Sequence, residues 1–428
     1  MSEAASAPES TADIAALTDF SGKRATWLKI ANALGGPFKG FVSLSADDLQ
    51  KAAQRSTGLS DFGPDDFVEP MRAFMKSLDE EAHLTFVGRI LARRDVFVLL
   101  CNRLQIAELM KRHPEVGEQE VKEPLFIMGL ARSGTSILHE LLAQDPELRP
   151  LESWEARYPC PPPDDASYEN DPRVKRGHFE QTLWPRLVPA YKAMHEMGGR
   201  IPTECGDLLC NAFIGDRLPA LHQVPTYAAA AAQADMLPAY KIHKQILQIL
   251  QWKRTPKRWL LKAPAHMNWI DTLLQVYPDA KIVQTHRDPL QVMGSTVSLI
   301  SAIMWMRSDK LDPELVKLAF GPAYYEPQLY RVMELRERGL PPAGQIIDVR
   351  FQDVMKDHFS AIRTIYEHFG WEYTDTAERL MRTYLAQKPR GKFGKHFYDF
   401  NDLGLDLATE RARYAKYQEH FGVESELV

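Results

Sequence analysis

The stretch from Pro124 to Ala143, PLFIMGLARSGTSILHELLA, most constrains how this chain can fold. Its residues 125–128 are apolar and predict a short buried strand. A loop with glycines at 129 and 134 follows, and apolar residues then recur at helical spacing. Such a loop turns backbone N–H groups inward at a helix N-terminus, where the helix dipole favours an anion. The sequence therefore predicts a strand, a loop and a helix that together bind a phosphate or a similar group.

The loop follows the spacing of the nucleotide-binding sequence GxxxxGK[ST] with one departure. Gly129, Gly134 and Ser136 match, but Thr135 stands at the lysine position. Because that lysine reaches the β- and γ-phosphates in NTPases, its loss argues against transfer of a γ-phosphate. Arg132 remains as the cation of the loop. Taken alone, the stretch is also compatible with an ordinary strand-to-helix turn that contains two glycines.

Composition and charge exclude several classes of protein. The 428 residues are 45% hydrophobic and 25% charged, which is normal for a globular protein of one large or two to three ordinary domains. The net charge of −5 gives no basic field for nucleic acid, so any anion site must be local. The few unpatterned cysteines, Cys101, Cys160, Cys205 and Cys210, favour a reducing compartment and indicate neither a disulfide framework nor a metal site.

The N-terminal residues and the lengths of the apolar runs bear on localisation. Residues 1–13 are small and acidic and lack the basic and apolar regions of a signal peptide, so we expect a disordered tail. No apolar run approaches the roughly 18 residues of a membrane span. We therefore expect a cytoplasmic protein with no stable membrane insertion.

The remaining chain predicts two regions. Residues 1–120 read as the tail and a helical N-terminal region, and residues 121–428 as an α/β domain. Within the second region, residues of about 155–250 are helical stretches broken by prolines, an insertion that is either a substrate cap or a structural elaboration. Strands are predicted at 258–262, 280–287 and 345–349, each followed by a helix, the first of these helices at 266–277. Such alternation predicts an α/β fold with a central, mostly parallel sheet flanked by helices.

Three cationic residues fall at or just after predicted strand ends: Arg132, Lys262 and Arg287. Ligands of open parallel sheets bind at that edge. Asp288 is suited to cap the next helix, and Ser295 then lies two turns further on the same helix face. Arg287 and Ser295 can thus converge on one anion, although a surface ion pair and a solvated serine would give the same sequence pattern.

These residues resemble the two signature motifs of sulfotransferases that use 3′-phosphoadenosine 5′-phosphosulfate (PAPS). The first is a loop of the form seen at residues 131–136, ARSGTS, and the second is an arginine followed eight residues later by a serine, as in Arg287 and Ser295. The resemblance covers roughly residues 123–402, and the sequence of the whole chain is similar to a large bacterial branch of the family. It implies a P-loop-like sulfotransferase fold, PAPS as co-substrate, adenosine 3′,5′-bisphosphate (PAP) as product, and no metal.

The resemblance also implies binding residues. Those that would grip the 5′-phosphosulfate are Arg132, Ser133, Gly134, Thr135 and Ser136, while Arg287 and Ser295 would hold the 3′-phosphate. A third family element near the C-terminus is imitated loosely by Arg390, Gly391, Lys392 and Lys395, with its register open. Ile137 stands where some relatives place a tryptophan that stacks on adenine, so the adenine partner is unassigned.

Sulfuryl transfer requires charge stabilisation at the leaving phosphate oxygen and a base for the acceptor hydroxyl. We expect Arg132, Lys262 and the loop amides to supply the first. His266 is the leading candidate for the base, because cytosolic sulfotransferases have their catalytic histidine at a similar position. Glu152 is its rival, since carbohydrate and tyrosyl-protein sulfotransferases carry a catalytic glutamate at a similar sequence separation after the first loop. Each also has a structural alternative, as a helix cap and as a surface carboxylate.

The acceptor and two rival functions complete the predictions. Aromatic and apolar residues between positions 154 and 252 predict a pocket for a small apolar acceptor such as a phenol, sterol or lipid alcohol, although such residues are often simply core. The rivals are an ATP-dependent small-molecule kinase and a non-enzymatic binding protein. The missing loop lysine argues against the kinase.

Overall fold

The computed structural model describes residues 14–388 and 398–427. Their central element is a five-stranded sheet in the order β2-β3-β1-β4-β5, in which every neighbouring pair is parallel. The strands are β1 Leu125–Gly129, β2 Leu148–Pro150, β3 Arg258–Lys262, β4 Lys281–His286 and β5 Ile346–Arg350. The predicted α/β fold with a parallel sheet is confirmed.

Helices surround this sheet and form the N-terminal region. In the described residues the α-helices are α1 Ile14–Thr18, α2 Thr26–Gly35, α3 Ala46–Thr57, α4 Val68–Glu80, α5 Phe86–Arg112, α6 Thr135–Leu142, α7 Ser153–Arg157, α8 Pro172–Leu187, α9 Gly206–Leu209, α10 Arg217–Leu221, α11 Pro225–Ala231, α12 Leu237–Gln251, α13 Ile270–Val276, α14 Pro289–Met304, α15 Pro313–Phe320, α16 Pro322–Glu337, α17 Phe351–Lys356, α18 His358–Phe369, α19 Asp375–Gln387 and α20 Leu407–Phe421. None of the helices described is long and apolar enough to cross a membrane.

Side chains of the central strand alternate between two apolar cores. Phe126 and Met128 of β1 join the larger core, while Leu125 and Ile127 join a second core against α6 and α18. All five residues of β1 are buried, as expected for a parallel sheet covered on both faces. The carboxyl ends of β3, β1 and β4 therefore lie side by side at one edge, with Ile127 in register with both Lys262 and Val283.

Two elements differ from the sequence prediction. Strand β2 was not expected, because its sequence Leu-Arg-Pro has no apolar run; the buried Arg149 in it pairs with Glu155 at 2.6 Å. The helix predicted at 266–277 is a 3₁₀ helix, Pro264–Trp269, followed by α13. Pro264 and the short turn after β3 favour the tighter helix there.

The N-terminal helices share a core with part of the insertion. Leu49, Phe74 and Leu100 pack in one cluster with Phe213 and Tyr227. The N-terminal helices also contact the chain after α14, where the Thr85 N–H and hydroxyl both donate to the carbonyl of Arg307. The division into regions 1–120 and 121–428 stays a prediction.

Candidate active site

The loop between β1 and α6 has a backbone shape that side chains other than glycine would disturb. Gly129 has φ 139°, and a Cβ there would lie 2.4 Å from the Thr285 carbonyl oxygen. Arg132 and Gly134 have φ 66° and 91°, both in the left-handed region. Left-handed residues in such a turn point successive N–H groups into one concave seat, and the first N–H groups of α6 have no acceptor within the helix. The loop thus presents a set of donors suited to an anion.

Ser133 braces this loop from below. Its side chain is fully buried, and its hydroxyl donates to the Leu130 carbonyl and lies 2.6 Å from the Thr285 hydroxyl. The Ser133 side chain therefore ties the loop to β4, and only its backbone remains for a ligand. Thr135 is also buried, whereas Ser136 is exposed in the first turn of α6.

Arg132 brings the two sequence motifs together. Its Nε donates to Ser295 Oγ at 3.1 Å, and its Nη1 donates to the Met194 carbonyl at 3.3 Å. Its own carbonyl accepts a hydrogen bond from Arg287 Nη1 at 2.9 Å. Burial and the nearby Arg287 lower the pKa of Arg132. The loop, the end of β4 and helix α14 thus meet around this one guanidinium.

A carboxylate from the C-terminal segment engages Arg287. Glu426 accepts from Arg287 Nε at 2.8 Å and from Nη2 at 2.7 Å, and the Phe351 ring lies 3.8 Å from the guanidinium carbon. Asp288, which caps α14, accepts from the Glu426 N–H at 2.8 Å and pairs with Arg411 at 2.8 Å. These contacts hold Glu426 on the arginine that the resemblance assigns to a 3′-phosphate.

Lys262, at the end of β3, forms a short ion pair with Glu204. Its Nζ lies 2.6 Å from Glu204 Oε1, and the lysine is 3% exposed. A hydrogen bond from the Cys205 N–H to the Lys262 carbonyl, 2.8 Å long, fixes the two segments together. Burial raises the pKa of Glu204, but the ion pair with Lys262 outweighs it and lowers that pKa to about 2.

A cavity of about 180 Å³ opens between the loop and this ion pair. Leu130 and Ala131 of the loop line it, together with Lys262 and Glu204. Most of the remaining wall is apolar or aromatic, with Trp184, Tyr191, Met197, Leu299, Ile300 and Phe320 among its residues. Mostly apolar walls with a few convergent polar groups are typical of small-molecule sites.

His195 also lines the cavity beside Lys262. Its Nδ1 lies 2.7 Å from the Glu196 carbonyl, which can only accept, so the Nδ1 carries the proton of the neutral ring. The Nε2 is then the nitrogen with the free lone pair. Burial and the charge of Lys262 lower the pKa of His195, so the ring is neutral near pH 7.

His266, the leading sequence candidate for the base, is fully buried. Its Nδ1 lies 2.7 Å from the Tyr240 hydroxyl, and the Phe126 ring packs edge-on against it. Its Nε2 has no hydrogen-bond partner among the described residues, and burial lowers its pKa to about 3. The neighbouring Ala265 and Met267 line the cavity, while His266 is not part of the described lining.

Glu152, the rival, lies just beyond β2. One of its oxygens accepts from Trp154 Nε1 at 2.6 Å and from Arg200 Nη1 at 3.2 Å. Burial and the nearby Glu155 raise its pKa to about 7, a value that suits a base. The adjacent Ser153 lines the cavity, but the described lining does not include Glu152.

The predicted C-terminal binding residues, Arg390, Gly391, Lys392 and Lys395, lie outside the described residues. The chain before them does reach the site. Lys388 pairs with Glu140 of α6 at 2.7 Å and with Glu196 at 2.6 Å.

Sequence reasoning missed Glu204, His195 and Glu426. The first two lie in the proline-broken insertion, in the stretches IPTECGD and AMHEMGG, where no periodicity or motif marks them. Glu426 lies near the C-terminal end of the sequence. Only a general rule could have pointed to Glu204 and His195: charged residues in an insertion that follows a ligand-binding loop are candidates for the site.

The site combines an anion-binding loop after the central strand of a parallel sheet with cations at the ends of both neighbouring strands. An apolar cavity adjoins it. Together these features are typical of an enzyme that transfers an anionic group. The model of the sulfotransferase family matches residues 124–375. The chain belongs to this family and is a sulfotransferase, which confirms the resemblance given by the two motifs.

Solved structures of mycobacterial sulfotransferases share this fold. STF1 from Mycobacterium tuberculosis H37Rv is 31% identical, with 87% of this chain and 98% of that chain covered and a TM-score of 0.75. STF9 from Mycobacterium avium is 29% identical, with 90% and 98% covered and a TM-score of 0.79. The omega-hydroxy-beta-dihydromenaquinone-9 sulfotransferase Stf3 of Mycobacterium bovis is 27% identical over 329 residues, 70% of this chain and 73% of that protein.

Proposed function

We propose that this protein transfers the sulfuryl group of PAPS to a hydroxyl of a small, largely apolar acceptor. The observation that carries the proposal is the meeting of three features at one sheet edge: the anion loop, the Arg132–Ser295–Arg287 contacts, and the Lys262–Glu204 pair beside an apolar cavity. Group transfer between two bound molecules needs such a donor seat next to an acceptor cavity.

The donor seat would divide between two phosphates. The loop amides from residue 131 to 136 and the Arg132 guanidinium would hold the 5′-phosphosulfate. Arg287 and Ser295 would hold the 3′-phosphate, since both already contact Arg132. The predicted residues 390–395 would add cations, and Phe351, against Arg287, adjoins the same seat.

Lys262 would stabilise the negative charge that develops on the leaving phosphate oxygen. In the free protein its ammonium neutralises Glu204. When Lys262 turns to the donor, Glu204 loses the strongest of the contacts that lower its pKa, so that pKa rises, while the charge of Arg217 continues to lower it. Glu204 would thereby become a base when the donor is bound, and it would accept the proton of the acceptor hydroxyl as the oxygen attacks sulfur.

The cavity geometry favours Glu204 as the base, with His195 as its neighbour on the same wall. The predictions for His266 and Glu152 remain open and are tested beside it. For the acceptor, the apolar wall supports a phenol, sterol or lipid alcohol, and the relative Stf3 is named for a lipid that carries an ω-hydroxyl.

Calorimetric titration with PAP tests the donor site. We expect PAP to bind tightly, AMP and Mg-ATP to bind weakly, and Arg287→Ala to weaken PAP binding by about 10- to 100-fold through loss of a charge-assisted contact. A preference for Mg-ATP over PAP, or the absence of binding by PAP, would contradict PAPS as the donor.

A further inference from the structure

The first helical segment exposes a row of large apolar side chains. Trp27, Ile30 and Leu34 of α2 are 47%, 55% and 72% exposed, and Phe38 and Phe41 of the following 3₁₀ helix, Gly36–Phe41, are 57% and 86% exposed. We call these five residues the docking face. Contiguous exposed apolar surface of this kind marks an interaction site more often than scattered single residues do.

The exposure follows from how α2 packs. Leu28 is buried, and Gly35 is so close to α5 that a Cβ would lie 2.1 Å from the Phe86 ring. Positions 27, 30 and 34 share a different side of the helix, because spacings of three and four residues return to one face. The two exposed phenylalanine rings follow directly after α2 in the chain, with their centroids 6.5 Å apart.

The segment that carries the docking face is basic, although Asp19 and Asp309 lie near Arg24 beside it. Lys23, Arg24, Lys29 and Lys39 lie within or beside it, and the sequence has no Asp or Glu from Phe20 to Ala46, although the whole chain has a net charge of −5. Lys23, Lys29 and Lys39 are exposed. A second copy of the chain would bring like charges together, whereas anionic lipid headgroups complement them.

We propose that the docking face binds the surface of an anionic lipid membrane. Trp, Phe and Leu side chains next to lysines are the composition of segments that lie in the membrane interface. This peripheral attachment differs from a membrane-spanning helix and requires none.

The docking face lies beside a second cavity of about 230 Å³. The Ala25 N–H donates to the Leu187 carbonyl at 2.9 Å, and Trp27 Nε1 donates to the Arg186 carbonyl at 3.1 Å. Leu187 and the exposed Phe179 line this cavity, which shares Gln181, Trp184 and Arg217 with the cavity at Lys262.

A lipid alcohol drawn from the membrane would thus enter close to the site. This route rests on the proposed sulfotransfer to an apolar acceptor, whereas the docking does not.

Co-sedimentation with vesicles tests the docking. The probes are vesicles of phosphatidylcholine alone and of phosphatidylcholine with phosphatidylglycerol. We expect the protein to bind the second kind, with binding weakened by added salt. The double variant Leu34→Asp and Phe41→Asp should lower the vesicle partition coefficient by about tenfold or more. On docking, it would place two carboxylates in the membrane interface where the wild-type protein places apolar side chains. Leu318→Asp, at a leucine 61% exposed on α15, is the matched control and should stay within about twofold.

Three outcomes would overturn the docking. One is no binding of the wild-type protein to anionic vesicles, and another is equal binding by the double variant. The third is a dimer in lipid-free solution that the double variant dissociates, which would make the face a surface for a second copy. Vesicle binding is scored without donor or acceptor, so it stands if sulfotransfer fails. Turnover of a short, water-soluble alcohol by the double variant tests the proposed function separately.

Discussion

Glu204 is the residue on which the proposed chemistry depends. Glutamine at this position keeps the shape of the side chain but cannot accept a proton, so we expect Glu204→Gln to lower kcat by about 10²- to 10⁴-fold. PAP affinity should change far less, since Glu204 contacts Lys262 and not the loop. Steady-state kinetics together with calorimetric titration measure the two effects.

The pH profile distinguishes Glu204 from the other candidates. A base must be deprotonated, so kcat rises with pH through its pKa in the donor complex, and Glu204→Gln should abolish that limb. His195→Gln, His266→Ala and Glu152→Gln are the parallel variants. If one of these abolishes the limb while Glu204→Gln retains it, that residue is the base.

In the proposed donor complex, Glu426 would compete with the 3′-phosphate for Arg287. Its bidentate contact must be shared or released when a 3′-phosphate binds, because two anions on one guanidinium repel each other. We expect Glu426→Gln to tighten PAP binding by about three- to tenfold and to leave AMP, which lacks the 3′-phosphate, unchanged. Calorimetry with both nucleotides measures this. Weaker PAP binding by the variant would mean that Glu426 orients Arg287 for the phosphate.

At the level of single residues, the sequence predicted what motifs encode. Arg287 and Ser295 could be paired from their spacing, and in the structure each of them is hydrogen-bonded to Arg132. Glu204 could not be found in this way, since it lies 58 residues from Lys262 and only the packing of the insertion brings it there. Ser133 could be identified from the motif, but its side-chain contacts could not be predicted. Only the structure shows that its hydroxyl faces the core.

At the level of elements, helix α5 packs against the residues that follow α14, and Gly88 of α5 makes the close contact. A Cβ at Gly88 would lie 1.8 Å from the Arg307 carbonyl oxygen, a backbone atom that also accepts both bonds from Thr85. We expect Gly88→Ala to lower the free energy of unfolding by about 2–3 kcal/mol through overpacking. Thermal or urea unfolding measures it.

Gly344→Ala is the matched control, since nothing lies within 4 Å of a Cβ there. It should leave stability within about 1 kcal/mol of the wild-type value. Equal stability of the two variants would mean that α5 moves away from the end of α14 to accept the Cβ without lowering the free energy of unfolding.

The strands were predictable where they are apolar and bounded by clear signals. β1, β3 and β4 each contain an apolar run that the parallel sheet buries, and the edge strand β5 buries Ile346 and Val349. β2 is only three residues long and includes Arg149, whose guanidinium bonds to two backbone carbonyls and to Glu155. A strand stabilised by such contacts leaves no periodic signal in the sequence.

At the level of the whole molecule, the site is assembled from segments that lie far apart in the chain. The loop at 129–136, Glu204, Lys262, Arg287 and Glu426 come from five separate stretches. The parallel sheet accounts for three of them, because the carboxyl ends of its central strands adjoin. The insertion and the C-terminal segment supply the acidic partners, which is why a sequence motif predicts the cations of this site better than its carboxylates.

Buried histidines make the stability of the whole molecule depend on pH. Burial lowers the pKa of His139, His222 and His266 to about 3, and that of His243 is also lowered by burial. In the unfolded chain histidine takes up a proton near pH 6.5. Between these values the unfolded state binds more protons, so stability is complete above about pH 6.5 and falls as the pH is lowered.

Two carboxyl groups oppose this effect. Burial raises the pKa of Glu152 to about 7 and that of Asp216 to about 6, so the folded state gains protons there as the pH falls. His195 and His286, whose pKa burial also lowers, add to these four histidines, and Asp145, whose pKa burial raises, adds to the two carboxyls. The histidines still dominate, and we expect the free energy of unfolding to drop by about 2 kcal/mol between about pH 7 and pH 5.5. Urea titrations at the two pH values measure this change. His222→Gln should reduce the drop by about 1 kcal/mol and Glu152→Gln should enlarge it, whatever either substitution does to stability at neutral pH. A stability that is flat over this range, or that rises on acidification, would mean that the buried histidines keep near-normal pKa values.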